Sequence, residues 1–136
     1  GKREASHYGV ATLKEIEGHI RDKARELEVE VDFFQSNHEG EIVDYLQQAA
    51  SDARGIVINA GALTPYGLSL RDALVDSRLP VVEMHLSNIH AREEFRRHSV
   101  ISSIAVGGIV GLGWRGYLYA LESLVARLNE VARLKE

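Results

Sequence analysis

Two short apolar runs, Gly55-Ile-Val-Ile-Asn59 and Pro80-Val-Val-Glu-Met-His85, decide the fold. Each is rich in β-branched residues and apolar at consecutive rather than alternate positions. That pattern belongs to strands covered on both faces, and therefore to a parallel sheet. Working outward, residues 68–77 between them have helical periodicity, and residues 104–110 form a further apolar strand. Upstream, residues 12–27 place Leu13, Ile16, Ile20, Ala24 and Leu27 on one helical stripe, with Thr12 and Glu15 at capping-box spacing. Residues 29–35, VEVDFFQ, carry the β-branched and aromatic content of a strand. A helix over 39–53, a short charged helix over 91–98 and a long amphipathic helix from Gly116, with Leu121, Leu124, Leu128 and Val131 inward, complete the alternation. Strands alternating with helices predict an α/β fold, a doubly wound parallel sheet in a three-layer α/β/α sandwich, with ligands beyond the carboxyl ends of the strands.

The 136 residues make one domain with room for a real core, and 45% hydrophobic with 26% charged residues excludes a disordered chain. A formal charge of -4 and a pI near 5.9, without a basic stripe, argue against nucleic acid or a membrane surface as partner. There is no cysteine, which excludes disulfides, thiolate catalysis and thiolate metal sites. No apolar run approaches the length of about 20 residues that a membrane span needs, and no signal peptide opens the chain. The expectation is a cytoplasmic enzyme or binding domain. The opening GKREASHYGV is polar and directly precedes a helix, where a doubly wound domain opens with a strand. We expect a single domain over residues 1–136 from which the first strand and its following loop are absent.

Several constellations carry chemistry. Gly111-Leu-Gly113-Trp-Arg-Gly116 matches the spacing GxGxxG between a strand and a helix. It lacks the second strand and acidic residue of a dinucleotide site, which favours glycines for a tight turn and close packing. In Glu83-Met-His85-Leu-Ser87-Asn88-Ile-His90 the histidines have no recognised metal-ligand spacing. His85 ends a buried strand with Glu83 on the same face, so a carboxylate can orient an imidazole for acid–base work, although a strand-end histidine also serves as a structural residue. Asn59 ends the other buried strand and can bind a substrate hydroxyl or cap the next helix. Lys2, Lys14, Lys23 and Lys135 all lie outside the predicted buried strands, which disfavours imine chemistry. Tyr8 follows Arg3 in the opening loop, and a guanidinium beside a phenol favours the phenolate.

These segments together resemble the type II 3-dehydroquinate dehydratases. The resemblance runs from Gly1 to about Leu124 and rests on Gly1-Lys-Arg-Glu4 with Tyr8, QSNHEGEIVD at 35–44, INAGALT at 58–64, LRDAL at 70–74, EMHLSNIHAREEFRRHS at 83–99, and GGIVGLGWRGYLYAL ending at Leu121. It implies a flavodoxin-like sheet of strand order 2-1-3-4-5, a homododecamer built as a tetramer of trimers, and cofactor-free conversion of 3-dehydroquinate to 3-dehydroshikimate and water in the shikimate pathway of aromatic amino-acid biosynthesis. The elimination is anti and passes through an enolate. By the same resemblance Tyr8 is the base, acting as a phenolate held by Arg3, and His85 is the general acid, oriented by Glu83. Ser87 and the Leu86 backbone bind the substrate carboxylate, Asn59 and Arg96 hold its hydroxyls, and Asp72 reaches the site of a neighbouring subunit. Tyr8 and Arg3 would lie on a lid loop that excludes water.

Two departures stand out. Family members open with a strand and an Asn-Gly-Pro-Asn-Leu-Asn-type loop ahead of the residues seen here. They also carry Thr-His where this chain has Thr64-Pro65, and proline has no side-chain donor for a substrate hydroxyl; Tyr66 is the nearest substitute. Pro65 is also the feature that supports a rival reading, a non-catalytic or repurposed relative binding a small carboxylate or phosphate. GLGWRG alone supports a third, a nucleotide-binding module.

Overall fold

The computed structural model describes residues 4–136. Its elements in chain order are α1 (Ala5–Tyr8), α2 (Leu13–Glu26), α3 (Glu39–Ala49), β1 (Ile56–Ile58), α4 (Leu68–Ser77), β2 (Val81–His85), β3 (Gly107–Val110) and α5 (Arg115–Leu134). The strands form one parallel sheet in the order β1-β2-β3, with Ile58 opposite Glu83 and His85 opposite Val110. Strand alternation sends Val82 toward Ala120 and Leu124 of α5 on one face. Val81 on the other face joins Leu46 of α3, Leu70 and Leu74 of α4, and Ile101. Helix α2 closes the α5 layer through Ala24, Leu121 and Val125. The result is the expected three-layer sandwich.

Local chemistry explains most element ends. Thr12 Oγ1 accepts from Glu15 N while Glu15 Oε2 accepts from Thr12 N, the reciprocal capping box that starts α2. The glycines of the strand-to-helix turn have structural reasons. Gly111 has φ +85° and lies where a Cβ would come within 3.0 Å of the Asn88 Cβ; Gly116 packs where a Cβ would meet Met84 Cε at 3.1 Å.

Four expectations need correction. Residues 29–35 take no regular structure and enter no ladder, because a strand needs a partner about 4.8 Å away and none pairs with them among the described residues. Val29 and Val31 instead pack on Ala24, Leu121 and Val125. Residues 91–98 form no α-helix; they lie in and around two 3-10 turns, Ile89–Ala91 and Glu94–Arg97. Helix α3 stops at Ala49 and tightens into a 3-10 turn over Ala50–Asp52. Finally, Leu13 is 48% and Val131 41% exposed, because the first turn of α2 and the last turns of α5 run past the edge of the core.

Candidate active site

At the carboxyl end of a parallel sheet the ladder stops and the loops diverge, so polar side chains can collect there without breaking the core. Strand β2 ends on Glu83-Met-His85. Met84 turns to α5, while Glu83 and His85 share the opposite face, each 4% exposed. His85 Nε2 lies 2.6 Å from Glu83 Oε2. Ser99 Oγ donates to the same oxygen at 2.9 Å, and Ser102 Oγ donates to Oε1 at 2.7 Å. Burial pushes the Glu83 carboxyl up, but the bonds from His85, Ser102 and Ser99 outweigh it and hold the group below its ordinary range. Glu83 is therefore an anion. Its acceptance at Nε2 fixes a proton on that nitrogen and makes Nδ1 the position through which the imidazole exchanges a proton.

The phenol comes from the other end of the chain. Helix α1 is a single turn whose last residue, Tyr8, is half-buried. Its hydroxyl accepts from Arg92 Nη1 at 2.7 Å, and the same nitrogen donates to Ser87 Oγ at 3.2 Å. The Arg92 guanidinium carbon also lies 5.2 Å from the centroid of the Tyr8 ring. The Tyr8 bond holds Arg92 above its ordinary value, so this cation is permanent. Ser87 follows His85 by two residues, so the Tyr8–Arg92–Ser87 bonds and the His85–Glu83 pair lie at the same end of β2. Asn59, just beyond β1, accepts from Gly61 N at 3.2 Å and donates from Nδ2 to the Tyr117 hydroxyl at 3.0 Å. Burial raises Tyr117 above its ordinary value despite the Asn59 bond.

The bonds join Tyr8 to Ser87 through Arg92 and His85 to Glu83, and Leu86 lies between His85 and Ser87 in the chain. Arg3 lies outside the described residues. Arg96 points its Nε to Glu93 at 3.1 Å, and Asp72 is exposed on α4. Tyr66 is 68% exposed and Pro65 is buried. Arg92 escaped the sequence reading because its partner is 84 positions away. The available signal was its place four residues before Arg96, in the loop that leaves β2 at the reactive end.

An acid–base pair of this kind, a phenol against a fixed cation and an imidazole against a carboxylate, suits proton removal at one carbon and protonation of a leaving oxygen at another. The chain as a whole is also similar to known proteins. The chain is 56% identical over 125 residues to a 3-dehydroquinate dehydratase of Halothermothrix orenii, covering 92% of this chain and 84% of that protein. It is 52% identical over 127 residues to one of Herpetosiphon aurantiacus, covering 93% and 88%. The crystal structure of a type II dehydroquinase from Propionibacterium acnes superposes with a TM-score of 0.86 at 40% identity, covering 92% of this chain and 86% of that one. One from Butyrivibrio crossotus superposes at 0.87 and 40% identity, covering 90% and 86%. With residues 1–125 matching the family model for class II dehydroquinases as well, the chain belongs to that family.

Proposed function

We propose that Tyr8 and His85 carry out the dehydration of 3-dehydroquinate to 3-dehydroshikimate that family membership assigns to this chain. The observation that supports it best is the placing of two bonded pairs at the carboxyl end of β2: the phenol on Arg92, which also holds Ser87, and His85 on Glu83, two residues before that serine. A proton beside a ketone is weakly acidic, so its removal needs a strong base in place and a site that stabilises the enolate. Tyr8, as a phenolate against the Arg92 guanidinium, takes that proton, and the electron pair moves into the enolate. As the enolate collapses, the bond to the β-hydroxyl breaks and His85 Nδ1 delivers its proton to the departing oxygen. Water leaves, the ring gains one double bond, and the imidazole is neutral with Nε2 still donating to Glu83. The Tyr8 proton returns to solvent and His85 Nδ1 takes one up from it, so both groups are restored and no net proton is consumed.

Ser87 and the Leu86 backbone, at the tip of β2, bind the substrate carboxylate in this reading. Asn59 and Arg96 hold hydroxyls, and Arg3 joins Arg92 at the phenolate. The exposure of Asp72 fits a role in the site of a neighbouring subunit, in a homododecamer of trimers acting in the cytoplasm. Among the described residues no helix is long and apolar enough to cross a membrane.

The test adds 3-dehydroquinate to the purified protein and follows the near-ultraviolet absorbance of the conjugated enone. Tyr8→Phe and His85→Ala each abolish turnover while the fold persists by circular dichroism. A folded, oligomeric parent protein that forms no enone would overturn the reading, and Pro65 would then be the first residue to revert.

A further inference from the structure

We infer that Ser99 and Ser102 are positioning residues for the acid half of the reaction, acting through the buried Glu83 carboxylate. The inference rests on the dehydratase reading for its kinetic consequence but on geometry alone for its substance. An ionised carboxylate has about four lone-pair positions, and one that is 4% exposed has to fill them from the protein. The strand neighbours of Glu83 in register, Ile58 and Gly108, carry no charge and no side-chain donor. Among the described residues His85 is the ionisable group bonded to the carboxylate, at Oε2. The rest comes from one short segment: Ser99 reaches Oε2 at 2.9 Å and Ser102 reaches Oε1 at 2.7 Å, so both oxygens are held.

The segment is itself built for that position. Ser99 Oγ accepts from Ile101 N at 3.1 Å and from Ser102 N at 3.0 Å while donating to Glu83. One hydroxyl thus ties the turn together and polarises its own O–H toward the carboxylate. Ile101, between the two serines, is 0% exposed in the α3/α4 core, and Arg71 of α4 donates to Val100 O at 3.0 Å. The serines are consequently anchored from the layer beneath rather than hanging from a free loop. Pinned at both oxygens, the carboxylate cannot rotate about its last bond, and the imidazole plane it holds is pinned with it.

The two serines divide the labour, which makes the inference testable. Ser99 also caps its own turn, whereas Ser102 Oγ has Glu83 as its hydrogen-bond partner. Ser102→Ala is therefore the clean variant. Its outer face is exposed, so the loss is moderate, with kcat falling roughly three- to tenfold and KM within about twofold of the parent. Ser102→Thr, which keeps the hydroxyl, restores kcat. Ser99→Ala has the larger effect and lowers thermal stability as well.

The deciding readout is independent of turnover: the ring resonances of His85, assigned by comparison with His85→Ala, observed by nuclear magnetic resonance at one fixed pH. With one donor removed the carboxylate carries more charge density and draws the Nε2 proton more strongly, so that proton's resonance moves downfield in Ser102→Ala and returns in Ser102→Thr. An unmoved resonance in Ser102→Ala overturns the inference, as does a kcat equal to the parent's in an active parent. If the parent forms no enone, the dehydratase reading fails while the resonance shift still decides the role of the serines.

Discussion

Arg92 offers the sharpest perturbation of the base. Its Nη1 lies 2.7 Å from the Tyr8 oxygen and 3.2 Å from Ser87 Oγ, so one nitrogen serves both. Two magnitudes bear on the loss. A cation and a phenolate about 4 Å apart at an effective dielectric of about 20 interact by about 4 kcal/mol, whereas a hydrogen bond from a charged donor contributes about 1.5–3 kcal/mol after both groups leave water. The second, net figure governs, and at about 1.4 kcal/mol per decade it corresponds to a ten- to 150-fold fall in kcat. Arg92→Met, which keeps much of the packing, shows that loss at neutral pH in the enone assay. Arg92→Lys recovers part of the loss, since a single ammonium supplies the charge without the planar fork. A folded Arg92→Met whose kcat stays within threefold of the parent at every pH would refute the assignment of Arg92 to the base.

Other outcomes follow from the same geometry. Glu83 lies below its ordinary carboxyl value of 4.5 in the folded protein, so its contribution to stability is present above that value and is lost as pH falls through the depressed one. Denaturant melts from pH 7 down to 2 should show a flatter acid limb in Glu83→Gln than in the parent. Tyr117 has the opposite sign: raised by burial above its ordinary value of 10.0, it makes stability decline as pH climbs past that point. Tyr117→Phe removes that alkaline decline, and at neutral pH it costs about 1 kcal/mol for the bond to Asn59, read from denaturant midpoints. Pro65→His supplies the donor that the family uses and lowers KM by up to about tenfold with kcat little changed; an unchanged KM would show that another group already fills that place. Leu70, 0% exposed between α4 and the sheet, should cost about 2–5 kcal/mol as Leu70→Ala in thermal melts.

What was legible in the sequence was what is local. The bounds of α4, the capping box of α2 and the shared face of Glu83 and His85 all follow from periods of a few residues. The segment 29–35 shows the limit: its β propensity describes how side chains fit a pleated surface, but a ladder also requires a neighbour, and propensity is silent on that. The stretch 91–98 is charged at helical spacing, yet Asn88 spends its side chain on a turn, Arg92 on Tyr8 and Ser87, and the following Ser99 on Glu83 of β2, and the backbone tightens into 3-10 geometry. Arg92, Ser99 and Ser102 were invisible as site residues for a common reason. Each is defined by a partner on another element, and no pattern along the chain marks that.

The bond between Tyr8 and Arg92 spans 84 positions, and that between Asn59 and Tyr117 spans 58. At a synthesis rate of about 5–20 residues per second, Arg92 leaves the ribosome about 4–17 s after Tyr8. The capping box of α2 can form in that interval, but the guanidinium that holds the phenol cannot have arrived. Reactivity is therefore withheld from the nascent chain until residue 92 has emerged and a loop of 84 positions can close, well after the first helices are made.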